Sequence, residues 1–596
     1  MDIPVFLADA PRFVFFTGKG GVGKTSVACA SAIALARGGA KVLLVSTDPA
    51  SNIGHVFDTT IGASVTAIPA VTGLSALEID PHQVAAAYRE RIIGPVRGLL
   101  PAAEIDTITE QLSGSCTTEI ASFNEFTALL DPAATHLAEF THIVFDTAPT
   151  GHTIRLLQLP GAWTEYLQGS GDASCLGPLS GLDAQRETYS AAVRALTDPA
   201  LTRLVLVARA QDAALREVAR TYDELTDIGV EAGHLIINAV LPQSGTDPLA
   251  AAIARREDTA IAAMPATLAE LPCDRIPLKP VDMVGVQALG TLFDSTTTVS
   301  ESIYAVEPHL EPAPLAALID ELAVDGHGLI MCMGKGGVGK TAIAAAIATA
   351  LAARGHDVHL STTDPAAHLA DTVGEGPATM QLSRIDPVEA TEQYRQRVLR
   401  TRGADLDEQG RAALAEDLRS PCTEEVAVFQ AFSRLVHESR RRFVVVDTAP
   451  TGHTLLLLDA TGAYHREISR NLGTDRGFTT PLMRLQDPTQ TKILVVTSPE
   501  STPILESVEL CADLERAAIT PWAWVLNNSL AAAHPTDALL RARAATEIAH
   551  IDAVATRYSS RYAIVPMLSS EPIGAVRLAS MTGEVDIEPL RRPLEC

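Results

Sequence analysis

Aromatic residues make up only 4% of this 596-residue chain, three of them tryptophans. Its cores must therefore be filled by aliphatic side chains, and the plentiful alanine suits helices packed closely around a sheet. Positive charge is also scarce: 46 Lys and Arg face 72 Asp and Glu, a net charge of -26. That balance excludes a protein whose main partner is nucleic acid, because phosphate binding needs clustered Lys and Arg. No stretch reaches the roughly 18 unbroken apolar residues that span a bilayer. The start, "MDIPVFLADAPR", has an acidic residue where a signal peptide would be basic. A cytoplasmic chain without a transmembrane segment is expected, so any membrane role must come through a partner. The eight cysteines include no CxxC pair. This excludes a zinc-finger spacing, gives no sign of a disulfide framework, and fits a reducing compartment.

What the chain does have is 47% apolar residues, enough for more than one core, and a long internal repeat. "GKGGVGKTS" from Gly18 recurs as "GKGGVGKTA" from Gly334, and "VSTDPAS" around Asp48 recurs as "STTDPAA" around Asp364. "EIDPHQVAAAYRERI", "CTTEIASF" and "VFDTAPTGHT" recur as "RIDPVEATEQYRQRV", "CTEEVAVF" and "VVDTAPTGHT". The offset falls from 316 residues at the loops to 306 and then 301, as deletions accumulate in the second copy. Each unit is thus a whole domain: residues 1–293 form one half, 294–328 a linker rich in Pro, Ser and Glu, and 329–596 the other half. In each half, short apolar runs such as "RFVFFTG", "KVLLVSTD" and "HIVFDTAP" alternate with helical stretches. The expected fold class is α/β, two homologous P-loop NTPase domains, each a mainly parallel sheet flanked by helices.

A strand, then G-x-x-x-x-G-K-[ST], then a helix is a phosphate-binding loop. Backbone N–H groups of Gly18, Gly20, Gly21, Val22, Gly23, Lys24, Thr25 and Ser26 are expected to cradle ATP. Gly334, Gly336, Gly337, Val338, Gly339, Lys340, Thr341 and Ala342 do the same in the second copy. Lys24 and Lys340 should reach the β- and γ-phosphates, and the hydroxyls of Thr25 and Thr341 should face Mg²⁺. Asp146 and Asp447, at the ends of apolar strands, are expected to help hold that Mg²⁺. Asp48 and Asp364, in "TDPA", stand where a carboxylate orients the attacking water, although an Asp before Pro is also a common turn former. Asn238 and Asn527 end further apolar strands and are candidates for the adenine edge, or for capping a turn.

Lys19 and Lys335, directly after the first glycine of each loop, resemble the deviant Walker A class of P-loop ATPases. That resemblance implies that two nucleotide domains face each other and that each lysine reaches the phosphate of the opposing site. A chain carrying both halves would then be a fused pseudo-dimer.

Cys116 and Cys422 are repeat equivalents, whereas Cys175 in "GDASCLGP" has no counterpart in "NLGTDRGF". His152 and His453 follow Asp146 and Asp447 by six residues, and Ser420 precedes Cys422. Three soft thiols from unequal halves suit trivalent arsenic or antimony. A free cysteine is otherwise usually a small buried hydrophobe, the expectation for Cys29, Cys273, Cys332, Cys511 and Cys596. Taken together, the two loops with Lys19 and Lys335, both "DTAPTGHT" segments, "SGSCTTEIASFNEF", "DASCLGP" and "RSPCTEE" resemble the two-domain arsenical pump-driving ATPases. The resemblance implies that Cys116, Cys175 and Cys422 bind arsenite or antimonite, with His152, His453 and Ser420 lining the same region. It also implies a membrane arsenite permease as partner, peripheral membrane association through it, and an optional metallochaperone that delivers the metalloid.

The alternative is a targeting factor for tail-anchored membrane proteins, which in the related family uses a zinc CxxC pair and a Met-rich groove. This chain has no CxxC and only nine Met. A partition or cell-division ATPase fits less well, since "EPLRRPLEC" is too short and Pro-broken for a membrane helix.

Overall fold

The computed structural model describes residues 4–48, 53–97, 115–131, 134–147, 186–242, 245–295, 313–364, 369–374, 376–404, 406–418, 422–449 and 480–583, with 101, 105, 108, 109, 112, 310 and 311. They fall into two compact units, Met1–Thr246 with Ala250–Val299, and Ser300–Cys596 with Asp247–Leu249. Each is an α/β domain built on one sheet.

In the first unit the strands are β1 (Phe13–Thr17), β2 (Val42–Ser46), β3 (Thr66–Ala67), β4 (Leu74–Glu78), β5 (His142–Asp146), β6 (Thr202–Arg209), β7 (Ala232–Val240) and β8 (Cys273–Pro277). They lie in the order β3-β4-β2-β5-β1-β6-β7-β8. Every pairing is parallel except that of the short edge strand β3. Strand β1, "FVFFT", is buried throughout. Its alternate residues feed two cores: Phe13 and Phe15 on one face, Val14 and Phe16 on the other. A sheet covered on both faces explains why these strands read as unbroken apolar runs.

The helices that matter for the site are α1 (Lys24–Arg37), α2 (Pro81–Ile93), α3 (Ser115–Leu129), α4 (Asp212–Asp227) and α5 (Pro248–Ala262). Helix α1 starts immediately after Gly23, whose φ of 91° is a left-handed conformation that favours glycine. Helix α3 is anchored by Phe126. Its ring meets Phe15 and Phe145 edge-on, and those two stack at 4.3 Å between centroids. The strand entering the phosphate loop, the strand ending in Asp146 and the helix carrying Cys116 therefore share one aromatic cluster, despite the scarcity of such residues.

The second unit repeats the plan. Strands β9 (Gly328–Met333), β10 (Val358–Thr362), β11 (Met380–Arg384), β12 (Phe443–Asp447), β13 (Thr491–Thr497), β14 (Ala523–Ser529) and β15 (Tyr562–Pro566) lie in the order β11-β10-β12-β9-β13-β14-β15. Its helices include α6 (Leu315–Ala323), α7 (Lys340–Ala353), α8 (Cys422–Glu438), α9 (Ser501–Arg516) and α10 (Ala538–Ala553). Ala344, Ala345, Ala346 and Ala348 of α7 are fully buried, so small side chains let this helix lie close on the sheet.

Helix α6 falls inside the segment read from the sequence as linker. Leu315, Leu318, Ile319 and Leu322 recur at helical spacing and are buried in the second unit's core. The cysteine expectation holds for Cys29 and Cys332, which are buried, but Cys273 is exposed at the start of β8 and Cys511 is half-buried. Cys273 begins an edge strand, where one side of the sheet is open. Cys596 lies outside the described residues. Among the described residues no helix is long and apolar enough to cross a membrane.

Phe15→Ala is expected to destabilise the first unit by about 3–5 kcal/mol, because it removes the ring that the other two pack against. Urea unfolding followed by circular dichroism checks the value; a change below about 1 kcal/mol would mean that the cluster does not anchor α3.

Candidate functional site

Both phosphate loops sit at the carboxyl ends of the central parallel strands, the usual place for a ligand in an open α/β sheet. Gly18 and Gly334 are there because nothing larger fits. A Cβ at either would lie 2.1 Å from a backbone oxygen of the neighbouring strand, that of Val207 or of Val496. Gly23 and Gly339 are equally constrained: a Cβ would lie 2.3 Å or 2.2 Å from the Nδ2 of Asn238 or Asn527. Those amides donate to the loop itself, to Val22 O at 2.8 Å and Val338 O at 2.9 Å. The residue after each Asn, Ala239 or Asn528, has a positive φ, 55° or 58°, and both strands slip register there. Asn238 and Asn527 thus fasten the phosphate loop to a strand two places along the sheet, β7 or β14.

Lys24 and Lys340 are buried, and their amines donate to a backbone oxygen of their own loop, Lys19 O at 3.0 Å and Lys335 O at 2.9 Å. Thr25 Oγ1 donates to Asp146 Oδ2 at 2.8 Å, and Thr341 Oγ1 to Asp447 Oδ2 at 2.8 Å. Asp447 Oδ2 also accepts from Thr362 Oγ1 at 3.1 Å. Its other oxygen, Oδ1, is buried with no hydrogen-bond partner among the described residues. A hydroxyl beside a buried carboxylate, next to a phosphate loop, is a hard-oxygen donor set that fits Mg²⁺. Burial pushes the Asp447 carboxyl up to about 6, against the lowering influence of Lys340 and Thr341.

Asp48 and Asp364 lie two residues beyond their strands, half-buried. Their backbone N–H groups donate to Ser46 Oγ at 3.2 Å and Thr362 Oγ1 at 3.0 Å. The segments leaving Asp146 and Asp447 are pinned at once: Thr147 Oγ1 donates to Phe16 O at 2.7 Å, and Thr448 Oγ1 to Cys332 O at 2.9 Å.

Of the residues expected to bind metalloid, Cys116 stands near the start of α3 and Cys422 opens α8. His152, Cys175, Ser420 and His453 lie outside the described residues. Among the described residues no group of three or more His, Cys, Asp or Glu is placed to hold a metal ion.

Sequence reasoning missed two pairs of glutamates. Glu217 on α4 holds Lys19 at 2.6 Å, and Glu506 on α9 holds Lys335 at 2.5 Å. Glu257 on α5 accepts Leu241 N–H at 2.8 Å. Glu547 on α10 accepts from Ser529 Oγ, Leu530 N and Ala531 N at 2.8–3.0 Å. Burial raises both of the latter, Glu547 to about 7. Glu217 and Glu506 are separated by 289 residues, as are Asn238 and Asn527, so the repeat register itself could have found the first pair.

A family model described as anion-transporting ATPase matches residues 11–297, 327–484 and 481–585. The chain belongs to that family. This anion-transporting ATPase is similar to an arsenical pump-driving ATPase of Escherichia coli, 58% identical over 585 residues that cover 97% of this chain and 100% of the relative. A second arsenical pump-driving ATPase, from Acidiphilium multivorum, is 57% identical over 579 residues, 96% of this chain and 99% of the relative. An ATPase get3 of Schizosaccharomyces pombe is 28% identical over 305 residues, 47% of this chain and 88% of that one. Family and geometry agree on an ATP hydrolase with two fused P-loop domains.

With the Asp447 carboxyl raised to about 6, a Mg²⁺ ion held through its ionised form would make ATP binding at the second loop weaken as pH falls through about 6. Binding should then release a fraction of a proton that grows as pH falls toward and below 6. Titration calorimetry on a Lys24→Ala variant, in buffers of different ionisation heat, measures both; an affinity that is flat across this range rejects the prediction.

Proposed function

We propose that this anion-transporting ATPase is activated by arsenite or antimonite and drives extrusion of the metalloid through a membrane permease. The observation that carries this reading is similarity to arsenical pump-driving ATPases along the whole chain, rather than over one nucleotide domain. Cys116, Cys175 and Cys422 are the proposed metalloid ligands, with His152, His453 and Ser420 beside them. The permease, and a metallochaperone if one is used, would recruit a cytoplasmic chain to the membrane.

The loop geometry supports the following chemistry in this reading. On ATP binding, Lys24 and Lys340 exchange a backbone oxygen of their own loop for β- and γ-phosphate oxygens. Mg²⁺, when bound, offsets the charge that develops on those oxygens. Thr25 with Asp146, and Thr341 with Asp447, would hold that ion. Asp48 and Asp364 orient the attacking water, a task of positioning rather than of strong basicity. Asn238 and Asn527 face the base while fastening the loop. Lys19 and Lys335 are assigned to the opposing ATP site, where each stabilises charge once the metalloid has drawn the halves together through three sulfurs. Coupling of this kind is reciprocal: ATP tightens metalloid binding by the factor by which the metalloid tightens ATP binding.

The targeting-factor alternative is the weaker reading. The get3 relative matches 47% of this chain, and the chain has no CxxC pair.

Steady-state ATP hydrolysis with Mg²⁺, with and without antimonite, tests the proposal. Stimulation that disappears in Cys116→Ser and Cys422→Ser variants, with metalloid-free hydrolysis retained, is expected. Hydrolysis indifferent to arsenite and antimonite in a folded wild-type protein would move the weight to the targeting reading.

A further inference from the structure

Lys19 and Lys335 are each engaged within their own domain. Lys19 Nζ lies 2.6 Å from Glu217 Oε2, and Lys335 Nζ lies 2.5 Å from Glu506 Oε1. The coincidence has a common cause in the fold. Gly18 packs on β6 and Gly334 on β13. The helices that follow those strands, α4 and α9, therefore run beside the next residue of each loop, and each glutamate is the sixth residue of its helix.

We propose that Glu217 and Glu506 are positioning residues that hold Lys19 and Lys335 back in their own halves, and that breaking these ion pairs gates hydrolysis. The proposal rests on the reading that the two lysines act at the opposing ATP sites. A carboxylate at 2.6 Å occupies one of the three ammonium donors and offsets its charge, so the lysine is the weaker partner for a phosphate until that pair breaks. The same residue is held at its backbone, since Lys24 and Lys340 donate to the Lys19 and Lys335 carbonyl oxygens. Phosphate arrival draws away the Lys24 or Lys340 amine and so removes the backbone hold. The glutamate remains until the metalloid-driven change makes the opposing phosphate the better partner. Nucleotide and metalloid would thus each undo a restraint on the same residue.

The two pairs are unequal. Side-chain exposure is 33% for Lys19 and 12% for Glu217, against 17% for Lys335 and 9% for Glu506. The second pair is less hydrated and less screened by salt, so it is the harder to release.

The test uses the full chain with Glu217→Gln and Glu506→Gln, measuring ATP hydrolysis across an antimonite titration. Metalloid-free hydrolysis is expected to rise about three- to tenfold, more for Glu506→Gln. The antimonite concentration giving half-maximal activation should fall, with the rate at saturation near that of wild type. Glu217→Asp and Glu506→Asp, which keep the charge, should lie between. Lys19→Ala and Lys335→Ala separate the two levels of the argument. If they hydrolyse ATP like wild type, the trans role of the lysines fails and the restraint fails with it. If they are inactive while folded Gln variants match wild type at every antimonite concentration, only the restraint fails. Loss of hydrolysis in a folded Gln variant also overturns it, because the glutamate would then be needed for catalysis.

Discussion

The contact on which the rest depends is the approach of the first loop glycine to the strand beside it. With Gly18 and Gly334 against Val207 and Val496, there is no room for a Cβ, and the loop is fixed over the ends of the parallel strands. From that one contact follow the start of the helix at Lys24 or Lys340, the reach of Thr25 and Thr341 to the strand-end aspartates, and the course of Lys19 and Lys335 alongside the next helix. A larger residue would displace the backbone, and every one of these placements would move with it.

The two halves keep this geometry while differing in what surrounds it. Leu43 of β2 belongs to an apolar core of the first unit. Its repeat equivalent, His359 of β10, is bonded to Glu438 at 3.0 Å and to Ser383 at 2.8 Å, with Arg442 alongside Glu438. Burial and Arg442 lower that histidine to about 4, so it is neutral and its ring nitrogens are satisfied within the network. Glu438 ends the helix opened by Cys422, whereas in the first unit Phe126 secures the helix carrying Cys116 by ring packing. Helix α8 is itself anchored in an apolar core by Phe432, Leu435 and Val436, so the polar network is an addition that the second half has at its end and the first half lacks at Leu43. Paired sites built this way need not respond equally to a shared ligand.

In both halves the strand-end aspartate and the histidine expected to line the metalloid region are six residues apart in the sequence. Asp146 and Asp447 end strands, meet the loop threonines, and lead directly into the segments that carry His152 and His453. The threonine after each aspartate is bonded back to the neighbouring strand.

Much of this was legible in the linear sequence, because it is written in local patterns. Glycine spacing specifies a phosphate loop, unbroken apolar runs specify strands buried on both faces, and a repeat of whole motifs specifies two domains. Helix α6 was also legible in principle, but its leucine spacing was hidden among Pro and Ser of a segment that reads as linker. Other features depend on distant residues meeting. The hold of Glu217 on Lys19 joins positions nearly 200 residues apart, and a glutamate on an amphipathic helix looks like any solvated charge until the helix is placed. The exposure of Cys273 depends on β8 lying at the sheet edge, a matter of strand order. The sequence by itself determined the chemistry available at each loop; only the tertiary structure decided which side chain each lysine meets, because that choice is made by the packing of a helix against a strand far away in the chain.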